Sequence, residues 1–274
     1  MIGTTQAEDA VRAALRRKLP VPQAIEDASK MWQVVIDAGH RSAPPRPTPE
    51  TIPATPAELR QLITEQAEAK RHAESVRSVA SDYLEPVAEN YRRLVRDAVP
   101  GWILSLTPEF NTLVKVLTGQ AKKLPEDLRV EALDWNNPKI SAAWEKAESA
   151  AHQLDQLVSD RKDMARAIGG DGGRDNELYA VAKFPDPTEQ AVFDNVLLNE
   201  VAPVMHGWRE LKGQPVSRWL HLARSEHVQL VLATPGEVRD RAAAVQRWRD
   251  AIAAMQAASG RNGAVVAVRQ ALAA

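Results

Sequence analysis

No cysteine occurs among the 274 residues. That absence removes disulfides, zinc ribbons, iron–sulfur sites and thiol nucleophiles together. Glycine is scarce, at 13, and strand-forming residues rarely cluster. The few apolar runs, such as "VQLVLA" at residues 228–233, are short and sit inside helical patterns. None approaches the roughly 20 apolar residues that span a bilayer, so no membrane partner is expected. Charge of one sign is missing as well. The formal net charge is −1, and it divides as +1, −2 and 0 over residues 1–56, 57–168 and 169–274. No segment has the basic excess that neutralising nucleic-acid phosphates requires. The N-terminus lacks a basic start followed by an apolar core, so a cytoplasmic protein, or one assembled into a particle made there, is expected.

Ala, Leu, Glu, Arg and Gln dominate what is present, and all favour helix. The reading is an all-α fold. Arginine outnumbers lysine about two to one and alanine is abundant, a composition typical of GC-rich bacterial or phage genomes.

Four segments are expected. Residues 1–41 read as an N-terminal helical arm, opened by a capping box of Thr5 with Glu8, interrupted at Pro20 and Pro22, and closed at Gly39. Its second helix carries Met31, Trp32, Val35 and Ile36. Residues 42–56, "SAPPRPTPETIPATP", hold six prolines in fifteen positions. This spacer cannot be helix, and in polyproline II it reaches on the order of 45 Å. Within it Pro44 and Pro47 have the PxxP spacing that suits an aromatic groove.

Residues 57–168 read as a long, coiled-coil-like helical hairpin. Thr55, Pro56 and Glu58 mark a start, after which Leu59, Leu62, Gln66, Ala69, Ala73, Val76, Ala80 and Tyr83 recur at alternating three- and four-residue steps. Pro86 is expected to kink this helix, "VPGW" at 99–102 to end it, and Thr107 to cap the next. Asn136, Asn137 and Pro138 start the second long helix, running to Ile168. The glycine-rich "GGDGGRDNE" at 169–177 lacks the strand and the Lys-Ser/Thr of a phosphate loop and misses calcium-loop spacing, so it reads as a hinge. Residues 169–274 then form a C-terminal helical bundle, with starts at Asp186-Pro187 and Thr234-Pro235, one helix over 188–211 kinked at Pro203, and another over 218–233.

Few residues suggest chemistry. No Glu-x-x-His or His-Glu-x-x-His occurs, no Gly-x-Ser-x-Gly, and no dinucleotide fingerprint. No catalytic, metal or cofactor-binding residue is assigned. His206, His221 and His227 crowd near Trp208, Trp219 and Glu226, and an enzyme pocket there is one alternative. A nucleic-acid-associated regulator is another, with Arg239, Arg241 and Arg249 around Trp248 as the densest arginine patch and further patches at 12–18 and 92–96. The leading expectation is a non-catalytic structural or interaction protein, homo-oligomeric or part of a multi-protein assembly. Its arm would dock on a neighbouring subunit through Met31, Trp32 and Ile36.

Overall fold

The computed structural model describes residues 2–40, 47–128, 133–173 and 175–273. It is all-α in its main elements. In chain order these are α1 (Ile2–Arg16), α2 (Gln23–Gly39), α3 (Pro56–Ser105), α4 (Thr107–Ala121), α5 (Pro138–Arg166), α6 (Asn176–Tyr179), β1 (Ala182–Lys183) and α7 (Glu189–Phe193). There follow α8 (Ala202–Glu210), α9 (Pro215–Arg224), β2 (Gln229–Leu230), α10 (Pro235–Ala257) and α11 (Gly260–Ala273).

The start signals of three helices operate as read. Thr55 accepts from the Glu58 amide while Glu58 reaches back to the Thr55 amide, and Thr234 and Glu237 do the same for α10. Asn137 caps α5 through the Lys139 amide. Two expected caps are corrected. The first helix already begins at Ile2, so Thr5 lies inside it, and Thr107 makes no cap bond because Leu106, still in right-handed helical geometry, precedes it.

The stop at 99–102 is also corrected, since α3 runs through Pro100 and Gly101 to Ser105. A proline within a helix costs about 3 kcal/mol. Here Val99, Trp102 and Ile103 are buried on the same turn, and their packing offsets that cost. With Leu106 as the bend, α3 and α4 form one bent rod.

The spacer's length follows from how α2 lies on α3. The Trp102 indole donates to the Pro20 carbonyl at 2.9 Å, and Tyr91 meets the Ser29 hydroxyl. The two helices are therefore antiparallel. From Ser29 to Gly39, α2 covers about 15 Å more of α3 at 1.5 Å per residue, reaching about residue 81. The chain must then return about 38 Å to Pro56, a distance sixteen residues at about 3.1 Å each can span.

The other arm helix, α1, lies between α3 and α5. Ala7, Ala10, Ala13 and Ala14 are buried there, and their small side chains allow three helices to approach closely. The arm thus packs in cis. Both α4 and α9 lie on α5, and Trp219 of α9 packs edge-on against Phe110 (6.3 Å) and Trp208 (5.4 Å). One hydrophobic core runs continuously from α1 to α11.

Two C-terminal helices differ from expectation. The run at 228–233 is extended, with Gln229 and Leu230 pairing antiparallel to Lys183 and Ala182. Val231 and Ala233 donate to the Val181 and Ala180 carbonyls. Valine-rich sequence fits a pleated surface as well as a helix, and here the available pairing decides. The expected helix at 188–211 is broken at Asn195 (φ 55°) and passes through a π turn, Leu197–Val201, just before Pro203.

Candidate functional site

Two surfaces stand out, the arm-docking seam and the outer flanks of α2 and α3. At the seam the carboxylate of Asp160 is buried and receives two guanidinium groups. Arg16 bonds it through Nε at 2.9 Å and Nη2 at 2.7 Å, and Arg17 through Nε at 2.5 Å. Arg17 also reaches Glu109 at 2.9 Å and Arg16 reaches Asp163 at 3.2 Å. The bond to Asp160 raises the Arg16 guanidinium above its ordinary range. In the first arginine patch, Arg16 and Arg17 are thus taken up by carboxylates of α4 and α5, and Arg12 by Asp9 of its own helix.

The same holds for the second patch. Arg92 pairs with Glu85 and Glu89, Arg96 with Glu89, and Arg93 with Asp97. In the third, Arg241 is turned inward and donates to the carbonyls of Tyr179 (2.8 Å) and Val231 (3.0 Å). Trp248 is buried with its indole on the Pro185 carbonyl at 3.1 Å. Arg239 and Arg249 remain exposed. Arg241 thus leaves the patch, because it turns toward the end of α6 and the residue after β2.

The three histidines are dispersed. His206 faces Glu210 at 3.2 Å on an exposed turn, and His227 faces Glu200 at 3.0 Å. His221 instead meets the Val204 carbonyl at 3.1 Å. Among the described residues no group of three or more acidic, histidine or cysteine side chains is placed to hold a metal.

The glycine-rich loop is pinned rather than free. Arg161, fully buried, holds the Asp171 carboxylate through both terminal nitrogens and donates Nε to the Ala233 carbonyl at 2.9 Å. Gly169, Gly170, Gly172 and Gly173 all have positive φ.

The outer flanks carry unburied apolar residues. Of the buried residues of α3, only Ala73 and Ala80 precede Ala88, because α1, α5 and most of α2 cover its later half. Exposed on the earlier half are Leu59, Ile63 (60%), Val79 (53%), Tyr83 (57%) and Leu84. On α2, Met31 (57%) and Val34 (66%) face outward while Trp32 and Ile36 are half-buried. Met31 is thus the exposed member of the predicted arm set. Pro47 is exposed, and Pro44 lies outside the described residues. The heptad pattern includes Leu59 and Tyr83 but misses Ile63, Val79 and Leu84. Their signal is that apolar residues flank the seam on both sides, more than a two-helix contact can cover.

No helix among the described residues is long and apolar enough to cross a membrane. The chain matches no known protein family, no curated protein and no solved structure.

Proposed function

We propose that this is a non-catalytic helical protein whose role is structural, in an assembly built from copies of itself. The observation that carries the reading is the set of exposed large apolar residues along a roughly 75 Å helix: Leu59 and Ile63 near its start and Val79, Tyr83 and Leu84 about 24 Å further along α3, with Met31 and Val34 on α2. Large apolar side chains scattered singly are ordinary on a protein surface, whereas several on one extended element favour association. The mixed charges along the same helix, Glu65, Glu68, Lys70, Arg71 and Glu74 among them, suit a protein partner better than a phosphate backbone.

The arm supports the same reading. Its docking seam is complete in cis, yet sixteen residues, 40–55, join α2 to α3. Exchange of such an arm between like chains keeps every contact and costs little.

The test is sedimentation velocity on the whole chain beside an Ile63→Glu/Tyr83→Glu variant. The reading expects the wild type to sediment as a multimer and the variant, with unchanged helical circular dichroism, as a smaller species. Identical sedimentation of the two would remove the α3 flank from the account.

A further inference from the structure

Gln214, Ser217, His221 and Arg224 recur at three-, four- and three-residue steps, so they share one face of α9, opposite the buried Val216, Trp219, Leu220 and Leu222. That polar face lines a cleft of about 430 Å³, closed on the far side by the chain after α4 and flanked by Leu128 and Leu211.

Each polar group in the cleft has unused capacity. Ser217 is only 9% exposed, and its hydroxyl has no hydrogen-bond partner among the described residues. It does not bond back to the carbonyl of Gly213, the usual refuge of a helical serine. The Gln214 amide has no partner there either. His221 is held in one orientation: its Nε2 lies 3.1 Å from the Val204 carbonyl, which can only accept, so Nε2 carries the proton and Nδ1 of the neutral ring is an open acceptor. Close packing on Gly207 fixes the ring further, since a Cβ there would lie 2.5 Å from Nε2.

Arg224 supplies the charge. Its two terminal nitrogens donate to the carbonyls of Ala121, Leu124, Pro125 and Glu126. Its Nε–H is unused, and among the described residues no carboxylate pairs with it. Burial lowers its pKa, only partly countered by nearby Glu126. A half-buried cation held only by carbonyl dipoles is what an incoming anion stabilises. The carboxylates of Glu126 and Asp127 stand exposed at the rim, so a bare anion is less suited than one carrying a hydrogen-bond donor beside its charge.

We propose that this cleft binds a small oxyanion, a carboxylate or phosphate group, with a neighbouring hydroxyl. Arg224, Ser217 and Gln214 receive the oxyanion and Nδ1 of His221 accepts from the hydroxyl. The site does not depend on the assembly reading, because it lies on α9, away from α2 and the early half of α3.

The experiment is an NMR titration of the whole protein, following the His221 ring and the Gln214 side-chain amide. Lactate and inorganic phosphate are the two probes. Saturable shifts at both reporters with lactate assign a carboxylate site, and with phosphate alone a phosphate site. Ser217→Ala, which removes the hydroxyl without adding bulk, is expected to weaken binding about tenfold, the loss of one good hydrogen bond. Gln214→Leu, on an exposed residue, serves as a second variant that leaves the fold undisturbed. Absence of saturable shifts with both probes at millimolar concentration overturns the proposal, as does equal binding by wild type and both variants.

Discussion

The indole nitrogen of Trp102 donates to the carbonyl of Pro20 at 2.9 Å, across 82 residues of sequence. Pro20 ends the turn after α1, and Trp102 lies in the last two turns of α3. This bond sets where α2 begins along α3, and with it how far the spacer must return. Trp102→Phe keeps an aromatic ring but removes the donor, and because Pro20 is exposed the loss is that of one hydrogen bond, about 0.5–1.5 kcal/mol. Chemical denaturation of the whole chain measures it, and no loss would mean that the arm's register is set elsewhere.

Asp160 gives the sharper test of the arm. Asp160→Ala leaves Arg17, largely buried, with only the half-exposed Glu109 as a charge partner. Removing one member of a buried pair costs about 3–5 kcal/mol, and the partial exposure of Arg16 puts the expected loss at about 2–3 kcal/mol, towards the lower end. Protease cutting after Arg12 and Arg16 should accelerate in parallel. A fall in stability with no added cutting in the arm would contradict cis docking.

Alkaline pH reports on the same interface. Burial, with Glu8 nearby, pushes the Tyr91 phenol up to about 12, while Ser29 and Arg12 pull it down. The folded state therefore holds this proton more tightly than the unfolded chain, whose phenol titrates near 10. The resulting stability is fully present below about pH 10 and is lost as pH rises through about 12. Tyr91→Phe should flatten the decline across that window. Tyr179, also raised by burial, keeps some of it, and an unchanged slope in the variant would show that Tyr91 does not contribute.

Gly207 and His221 form a coupled pair. A methyl at 207 would lie 2.5 Å from Nε2 and 2.6 Å from Cε1 of His221. Gly207→Ala should cost about 1–3 kcal/mol through overpacking. The double variant with His221→Ala should recover part of it, giving a non-additive cycle of at least about 0.5 kcal/mol. Strict additivity would show that the ring moves aside freely.

Helix starts were legible because their signals are local. Thr55 with Glu58, Asn137 before Pro138, and Thr234 with Glu237 each satisfy backbone amides within a few residues. The long α3 was legible in its heptad-like repeat. Less could be read where a distant partner decides. The stretch at 228–233 becomes extended because residues 180–183 are available to pair with it, and no local pattern specifies that meeting. Arg241 and Trp248 look like an exposed patch until α10 is seen packing on α6 and α7. Likewise, Ser217, His221 and Arg224 had the right helical spacing to be grouped, but their common cleft requires the chain after α4, nearly a hundred residues away. The histidine cluster suggested by sequence proximity failed because α8, α9 and the turn before β2 point their side chains in different directions.

The most direct test of the central claim is the mass of the intact chain by light scattering on a sizing column, over a wide range of protein concentration. Association through the α3 and α2 flanks predicts a mass at least twice the 30.1 kDa of one chain, falling toward it on dilution or in the Ile63→Glu/Tyr83→Glu variant. A mass of one chain at every concentration would contradict it.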